Sequence, residues 1–579
     1  MNGSLPKATT VAALLASHAQ ERGDKRVYTF LSDGENEAGS LTYGELDRDA
    51  RAIAARLQRE CERGDRVLIL IADACDFIRG FMACQHAGVI AVPAYPPYPI
   101  QSAHRLATLR AIASDSGATA VLAAGGGAQL RDLLAEPAPD LAALNWVAAD
   151  EVPPAEADDF RPVDIRPDDL SFLQYTSGST ALPKGVMVTH DSLMWNEELI
   201  RRSFDVRDDD AIVGWLPLFH DMGLIGNVLH TFYCGFHGVL MPPLTFVQRP
   251  GLWLRAIDRY RGTIAGGPDF GYSLCTRRVT PEEREGLDLS SWRIAFNGAE
   301  PIRAATLRSF AESFAPQGFK ASAFYPCYGL AETTLFATGA QAGIGTTELA
   351  VDLPALRDGR IEPGGDHVLV ASGPPILHRR VEIVDPETCR RVEPGHVGEI
   401  WLAGPDVCKG YWQRPDATEE TFRARIADDG DGPFLRTGDL GAMYEGQLWV
   451  TGRLKDLIIV GGANHYPHDI EASVEAAHPR IRRGCSAAFA LERDDREELV
   501  VVAEVKPAGD GEDDPEAIVR AVRTAVGSGH GIQVDHVALV PRETLPKTSS
   551  GKLQRSRARQ AFERGEYDAP AGRKVEEVV

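Results

Sequence analysis

The sequence predicts an α/β protein. A large N-terminal domain of parallel βαβ sheets carries a β-rich subdomain and is followed by a small α+β C-terminal domain. Three observations predict it. The chain has 579 residues, more than one folding unit at about 100–200 residues per domain. Short β-branched and aliphatic runs alternate with stretches of helical period through the first part of the chain, which is the rhythm of βαβ units. That rhythm gives way to close-spaced strands from about residue 365, and it changes again past Arg453.

Taken in order, the runs at 67–71 and 119–122 read as strands, and 43–57 and 99–114 as helices. Apolar runs at 211–215, 238–241 and 293–296 continue the pattern to about residue 335. Strands at 381–384 and 399–402 are then separated by Asp, Pro and Gly turns. Beyond Arg453 the order is strand, helix, strand, strand, helix, strand, with an acidic loop at 508–515 suited only to solvent. The predicted domains are 1–453 and 454–579. The second carries only −4 of the net charge of −22, and its arginines cluster at Arg480, Arg482 and Arg483 and at Arg555, Arg557 and Arg559.

With 61 basic and 83 acidic residues, general attraction to nucleic acid or anionic lipid is disfavoured, so any polyanion is bound locally. No apolar run approaches the ~18 residues of a membrane span, and the amino-terminal stretch lacks the features of a signal peptide. A cytoplasmic protein is expected. The nine cysteines never fall within four positions of one another, so no CxxC pair exists and reduced, buried thiols are expected.

The strongest local motif is 175–185, Tyr-Thr-Ser-Gly-Ser-Thr-Ala-Leu-Pro-Lys-Gly, between a strand-like run and a helical one. A glycine loop between strand and helix cradles phosphate: Thr176, Ser177, Ser179 and Thr180 offer hydroxyls and amides, Gly178 close approach, Lys184 a charge. A Walker loop is excluded, because Pro183 precedes the lysine and Gly185 follows it.

This string resembles the phosphate loop of the adenylate-forming superfamily of acyl-CoA synthetases, adenylation domains and luciferases. In the same order follow Trp-Leu-Pro-Leu-Phe-His-Asp-Met-Gly-Leu-Ile-Gly at 215–226, Asn-Gly-Ala-Glu-Pro at 297–301, and Tyr-Gly-Leu-Ala-Glu-Thr-Thr at 328–334. Arg-Thr-Gly-Asp-Leu at 436–440, Gly-Arg-Leu-Lys-Asp at 452–456 and Pro-Lys-Thr-Ser-Ser-Gly-Lys at 546–552 complete the series.

The resemblance implies ATP and Mg²⁺ as cofactors and assigns roles. A carboxylate attacking the α-phosphate of ATP meets charge repulsion, so fixed positive charge and a metal are needed there. Glu332 is implied as the Mg²⁺ ligand, with Thr333 and Thr334 on the phosphate. Gly298, Ala299 and Glu300 would lie along the adenine with Tyr328 stacked on its other face, and Asn297 and Gly329 belong to the same nucleotide-binding set. Asp439 is implied on the ribose hydroxyls, joined by Arg453. Lys552 would be the catalytic lysine bridging substrate carboxylate and α-phosphate, carried by a mobile small domain that swings about Lys455. His220 would stand at the mouth of the acyl pocket.

The 215–226 block looks like the fatty-acid-activating version. The extra stretch 339–375, with Val-Pro-Ala-Tyr-Pro-Pro at 92–97 and Asn-His-Tyr-Pro at 464–467, resembles the fatty acyl-AMP ligases. These pass acyl-adenylates to the phosphopantetheine of an acyl carrier protein, here expected to be a separate chain. Its basic contact is expected at the arginine clusters. Gly461, Gly462 and Ala463 stand where many such ligases carry two basic residues. Leu349, Val351, Leu353 and Leu356 suggest that the insertion packs onto the large domain. The rivals are a fatty acyl-CoA synthetase, which shares every catalytic motif, and a non-catalytic acyl- or nucleotide-binding protein.

Overall fold

The computed structural model describes residues 8–97, 103–176, 183–460, 463–493, 496–507, 515–548 and 552–567. Two mixed sheets, mostly parallel, build the large domain. The six-stranded sheet runs Asn145–Ala148, Ala120–Ala123, Arg66–Leu70, Ile90–Pro93, Leu170–Thr176, Lys184–Thr189, and only its last pair is antiparallel. The eight-stranded sheet has Ile294–Asn297, Ile264–Gly267, Ala211–Gly214, His237–Leu240 and Arg26–Leu31 at its parallel centre, with antiparallel strands at both edges. The helices Tyr43–Glu60 and Ala74–Ala87 share one apolar cluster with both sheets. A capping box between Thr42 and Glu45 starts the first of them. The helix read at 99–114 runs Ala103–Ser116, and residues 98–102 at its start lie outside the described residues.

The β-rich region is a four-stranded antiparallel sheet, Arg380–Val384, Gly398–Ala403, Leu435–Tyr444, Gln447–Arg453. A buried polar knot fastens it to the large sheets. Asn196 Nδ2 donates to Asp406 Oδ2 at 2.7 Å and to the carbonyl of Phe336 at 2.8 Å, and Arg379 Nη2 lies 2.5 Å from the same Asp406 oxygen. A charge so buried is tolerable only when paired.

Within 339–375, Glu348–Val351 pairs antiparallel with His367–Val370, and Asp352 caps the short helix Leu353–Arg357. Val351 and Leu356 are buried with Ala442 and Trp449 of the four-stranded sheet, while Leu349 and Leu353 pack at the edge. The same cluster contains Tyr466, from beyond residue 453. Polar contacts follow the same line: Asn464 Nδ2 donates to the Arg357 carbonyl at 3.1 Å, Arg357 Nη2 meets His530 Nδ1 at 3.4 Å, and His367 lies 3.8 Å from Asp469.

The C-terminal region has its own sheet. Ile481–Arg493 and Arg496–Val505 are antiparallel, and His536–Val540 runs parallel to the second. Both faces are covered, so alternate residues serve two cores: Leu499 and Val501 pack with the helices Pro467–Ala477 and Pro515–His530, Val500 and Val502 with the helix Arg555–Glu563. That last helix adds to the order read from sequence. Among its own residues only Ala558 and Ala561 are buried, so its apolar face is too small to register as a pattern. Residues 508–514 of the acidic loop lie outside the described residues.

The arginine clusters do not form one free basic surface. Arg482 pairs with Glu504, Arg555 with Glu471 at 2.7 Å and Asp456 at 3.2 Å, and Arg559 with Glu563 at 3.0 Å. Arg480 donates to the Lys506 carbonyl and Arg557 to Gln554. Arg483 keeps its guanidinium exposed. All nine cysteines are free thiols, and five of them are only partly buried.

Candidate active site

One cleft of about 2720 Å³ opens between the large domain and the C-terminal region. Thr176, Lys184, His220, Gly298, Ala299, Glu300, Tyr328, Gly329, Glu332, Asp439, Arg453, Lys455 and Lys552 all line it. Thr176 and Lys552, 376 positions apart in sequence, thus meet in one site. Ser177, Gly178, Ser179 and Thr180 lie outside the described residues.

At the ends of adjacent parallel strands, the chain leaves the large sheet and can bend toward a ligand. Gly298 follows such a strand, and a Cβ there would sit 2.9 Å from the Cys327 carbonyl oxygen. Ala299 next to it has φ +70°, and neither residue carries a side chain larger than a methyl group. Gly329 is equally constrained, since a Cβ would come within 1.9 Å of the Leu335 carbonyl oxygen. Asn297 differs from its expected place. It is fully buried behind the cleft, its Nδ2 3.3 Å from Asp269 Oδ1.

Tyr328 closes the same pocket, and its hydroxyl donates to Asp439 Oδ2 at 2.8 Å. Arg453 Nε donates to Asp439 Oδ1 at 2.9 Å. Each carboxylate oxygen therefore holds one partner and keeps acceptor capacity for a diol. Burial and the adjacent Asp439 push the Tyr328 phenol well up, so it stays a donor. The Asp439 carboxylate in turn holds the Arg453 guanidinium firmly charged.

Glu332 sits in a 3₁₀ turn, Ala331–Thr333. Its Oε1 accepts the Tyr411 hydroxyl at 2.7 Å, and burial pushes the carboxyl up against that bond. The Lys184 ammonium lies 4.7 Å from the Tyr411 ring centroid, a cation–π distance. Tyr411 is held there because the Met187 amide donates to the Gly410 carbonyl and the Trp412 amide to that of Gly185. Tyr411 thus ties the end of the phosphate loop to Glu332. The sequence motifs missed it, and the only hint was an aromatic pair following a glycine. Thr333 and Thr334 correct the expectation that their hydroxyls face phosphate. Both are fully buried, and they donate to the carbonyls of Leu330 at 3.0 Å and Asp406 at 2.8 Å.

His220 is depressed to about 4 by burial, with Lys552 also lowering it and Asp221 opposing. It is a neutral imidazole at pH 7. Glu300 is raised to about 7 by burial and by Asp269, while the Phe270 amide at 2.6 Å and the Lys552 charge pull it down. Lys552 therefore acts electrostatically on both His220 and Glu300. Lys455 is lowered by burial and by the nearby Arg453 and Lys184 charges. Trp215, Met222, Phe296, Leu335 and Phe336 give the cleft an apolar stretch. The cleft thus brings together a carboxylate with acceptor capacity, the ammonium groups of Lys184, Lys455 and Lys552, and an apolar stretch.

The chain belongs to the AMP-binding enzyme family, which matches residues 15–412, while residues 455–571 match the AMP domain of the Disco-interacting protein 2-like family. It is 42% identical to a medium-chain-fatty-acid–[acyl-carrier-protein] ligase of Moorena producens, over 98% of this chain and 97% of that one. A fatty acyl-adenylate ligase of Legionella pneumophila, solved with acyl adenylate and pyrophosphate, is 38% identical with a TM-score of 0.76, covering 97% and 98%. A structure from work on fatty acyl-adenylate ligases of E. coli and L. pneumophila is 31% identical with a TM-score of 0.87, covering 97% and 99%. Within its family, the protein is a ligase.

Two outcomes follow from the geometry. Glu300 has a folded-state pKa raised from 4.5 to about 7, so its stabilising contribution is complete below pH 4.5 and is lost as pH rises through 7. Glu300→Gln should therefore be more stable than the parent at pH 8, by on the order of 2 kcal/mol, with no advantage at pH 4.5. Urea unfolding at the two pH values measures this, and an equal difference at both would contradict it. Tyr411→Phe removes one hydrogen bond to a carboxylate, worth about 1.5–3 kcal/mol. Pyrophosphate release should fall roughly 10- to 100-fold, with a fall in the thermal midpoint of about a few degrees.

Proposed function

We propose that the enzyme converts a fatty acid and ATP into acyl-adenylate and pyrophosphate, then transfers the acyl group to the phosphopantetheine thiol of a separate acyl carrier protein. The observation that carries this reading is the position of Lys552, whose charge reaches both His220 and Glu300 although its chain segment lies more than 250 residues beyond either.

In the first step a fatty carboxylate oxygen attacks the α-phosphorus of ATP, and pyrophosphate leaves with the bonding electrons. Two anions must approach, so the preorganised Lys552 ammonium is worth most at the transition state. Neutral His220 adds no competing charge beside it and can donate a hydrogen bond to the carboxylate. Asp439 would accept the ribose hydroxyls while Arg453 and Tyr328 hold it oriented, and the Gly298–Ala299 strip would take the adenine. Lys184 and Lys455 would face the phosphates. The donor set fits Mg²⁺: Glu332 is a hard oxygen ligand with one oxygen left over from Tyr411, and Mg²⁺ bound to nucleotide takes one or two carboxylates. When bound, the metal supplies charge neutralisation at the phosphates.

In the second step a thiolate attacks the acyl carbonyl, and AMP departs. Lys552 fills the approach to that carbonyl, so the C-terminal domain, proposed as 454–579, must turn about Lys455 first. The carrier as acceptor is supported by the Moorena relative, which carries that activity in its name. Free thiols and dependence on ATP accord with a cytoplasmic setting, and among the described residues no helix is long and apolar enough to cross a membrane.

The acyl-CoA synthetase reading is disfavoured by the contacts of 339–375 with Tyr466, Asn464, Asp469 and His530, which oppose that turn. A small thiol has only its own binding energy to overcome them, whereas a docked protein adds an interface.

Lys552→Ala should lower acyl-adenylate formation by roughly 10²–10³-fold, with a smaller loss in transfer from supplied acyl-AMP. Equal losses would remove the two-pose account. The parent enzyme, given fatty acid and ATP, should load a phosphopantetheinylated carrier while accumulating acyl-AMP in the presence of coenzyme A. Brisk acyl-CoA synthesis would instead assign it as an acyl-CoA synthetase.

A further inference from the structure

Away from the reacting groups, the rim of the cleft gathers positive charge from both domains. The helix Asp269–Arg278 begins beside the active site, where the Phe270 amide meets Glu300, and ends at Arg277 and Arg278. At 1.5 Å per residue that end lies about 12 Å further out. Across the cleft the strand Ile481–Arg493 presents Arg483, and the Lys547 ammonium sits 2.7 Å from the Gly484 carbonyl next to it. All four side chains are exposed and line the same cleft.

None of the three arginines, nor Lys547, forms an ion pair with a carboxylate among the described residues. Arg277 and Arg278 donate only to the carbonyls of Ser273 and Val247. The nearby acid is Glu475, and it is committed: its Oε1 accepts the Gly484 amide at 2.7 Å, and its Oε2 lies 3.9 Å from Arg303. Burial together with the Arg483 and Arg278 charges pulls the Arg277 guanidinium below its ordinary range. Like charges gathered with only the already committed Glu475 against them, in a chain with a net charge of −22, form a local site for an external anion.

We propose that Arg277, Arg278, Arg483 and Lys547 form a composite docking surface for the acidic face of the acyl acceptor protein. This rests on the carrier reading above. The surface has a specific consequence for order of events. Arg483 and Lys547 ride on the C-terminal domain while Arg277 and Arg278 stay with the large domain, so an acidic partner engages both halves only in the pose where Lys552 is at the active site. The acceptor is then captured before the domain turns, so this contact raises its local concentration beside the site and does not itself drive the turn. A small thiol without an acidic protein attached gains nothing there.

The test uses the full-length enzyme with a bacterial phosphopantetheinylated acyl carrier protein, and with free 4′-phosphopantetheine as the comparison acceptor. Arg277→Glu, Arg483→Glu and the double variant are assayed for pyrophosphate release, for transfer and for the salt dependence of transfer. Each single variant should raise the apparent KM for the carrier about tenfold at low salt and flatten its salt dependence. Pyrophosphate release and transfer to free phosphopantetheine should stay at parental levels. A carrier variant with acidic residues changed to Lys should recover affinity for the double variant. Unchanged KM and salt slope would overturn the proposal, as would an equal loss with free phosphopantetheine, which would assign the charges to the arm's phosphate. If the parent enzyme forms acyl-AMP but loads no carrier at all, the carrier reading itself fails, and that result is distinct from the others.

Discussion

The Asp439 carboxylate is the constraint on which the site depends. It is paired in register with Arg453 across two neighbouring antiparallel strands, so the ion pair is fixed by the sheet itself and costs little ordering of long side chains. Its other oxygen takes the Tyr328 hydroxyl from the edge of the large sheet. One acid thereby joins the nucleotide pocket to the β-rich subdomain and to the last residue before the turn Leu454–Asp456. From there the charges continue: Asp456 meets Arg555, and Arg555 holds Glu471 in the C-terminal domain. Arg453 is fixed by the strand ladder, and Asp456 is tied through Arg555 to Glu471 of the C-terminal region. Motion concentrated between those two points would leave the Asp439–Arg453–Tyr328 cluster intact while it moved Lys552.

Most of the fold was legible because the large sheets bury parallel strands on both faces, which leaves near-continuous apolar runs such as 67–71. The elements that escaped were those with weak apolar faces. The helix Arg555–Glu563 buries two alanines among nine residues, and the Ala463–His465 strand is three residues long. The site was legible where a motif demands unusual backbone, as at Gly298 and Gly329, whose Cβ positions are filled by other main-chain atoms. It was less legible where chemistry passes through a supporting residue. Tyr411 belongs to no motif used to read the chain, and Asn297, although inside one, turned out to brace Asp269 from behind the cleft. The arginine clusters misled for a related reason. Arg482 and Arg483 both line the cleft, but Arg482 is paired with Glu504, whereas Arg483 has no ion pair among the described residues.

The insertion shows how a polar-looking segment can act on a distant domain. Its individual polar contacts, such as His367 to Asp469 at 3.8 Å, are of the partly exposed kind that contributes about 0–1 kcal/mol each. Tyr466 is different. Its ring is buried among Val351, Leu356 and Trp449, and it lies against Gly452, where a Cβ would approach it to 2.7 Å. An aromatic side chain buries about 150–250 Å², several kcal/mol at about 25 cal/mol/Å². Gly452 precedes the proposed hinge at Lys455 and Tyr466 follows it, so this packing spans the segment about which, on that proposal, the domain turns. Turning either carries the ring along, which strains the thirteen residues between, or exposes it. The threshold for leaving the adenylation pose is therefore set more by one aromatic seat than by the polar contacts around it, and an acceptor that brings no binding energy of its own has no means to cross it.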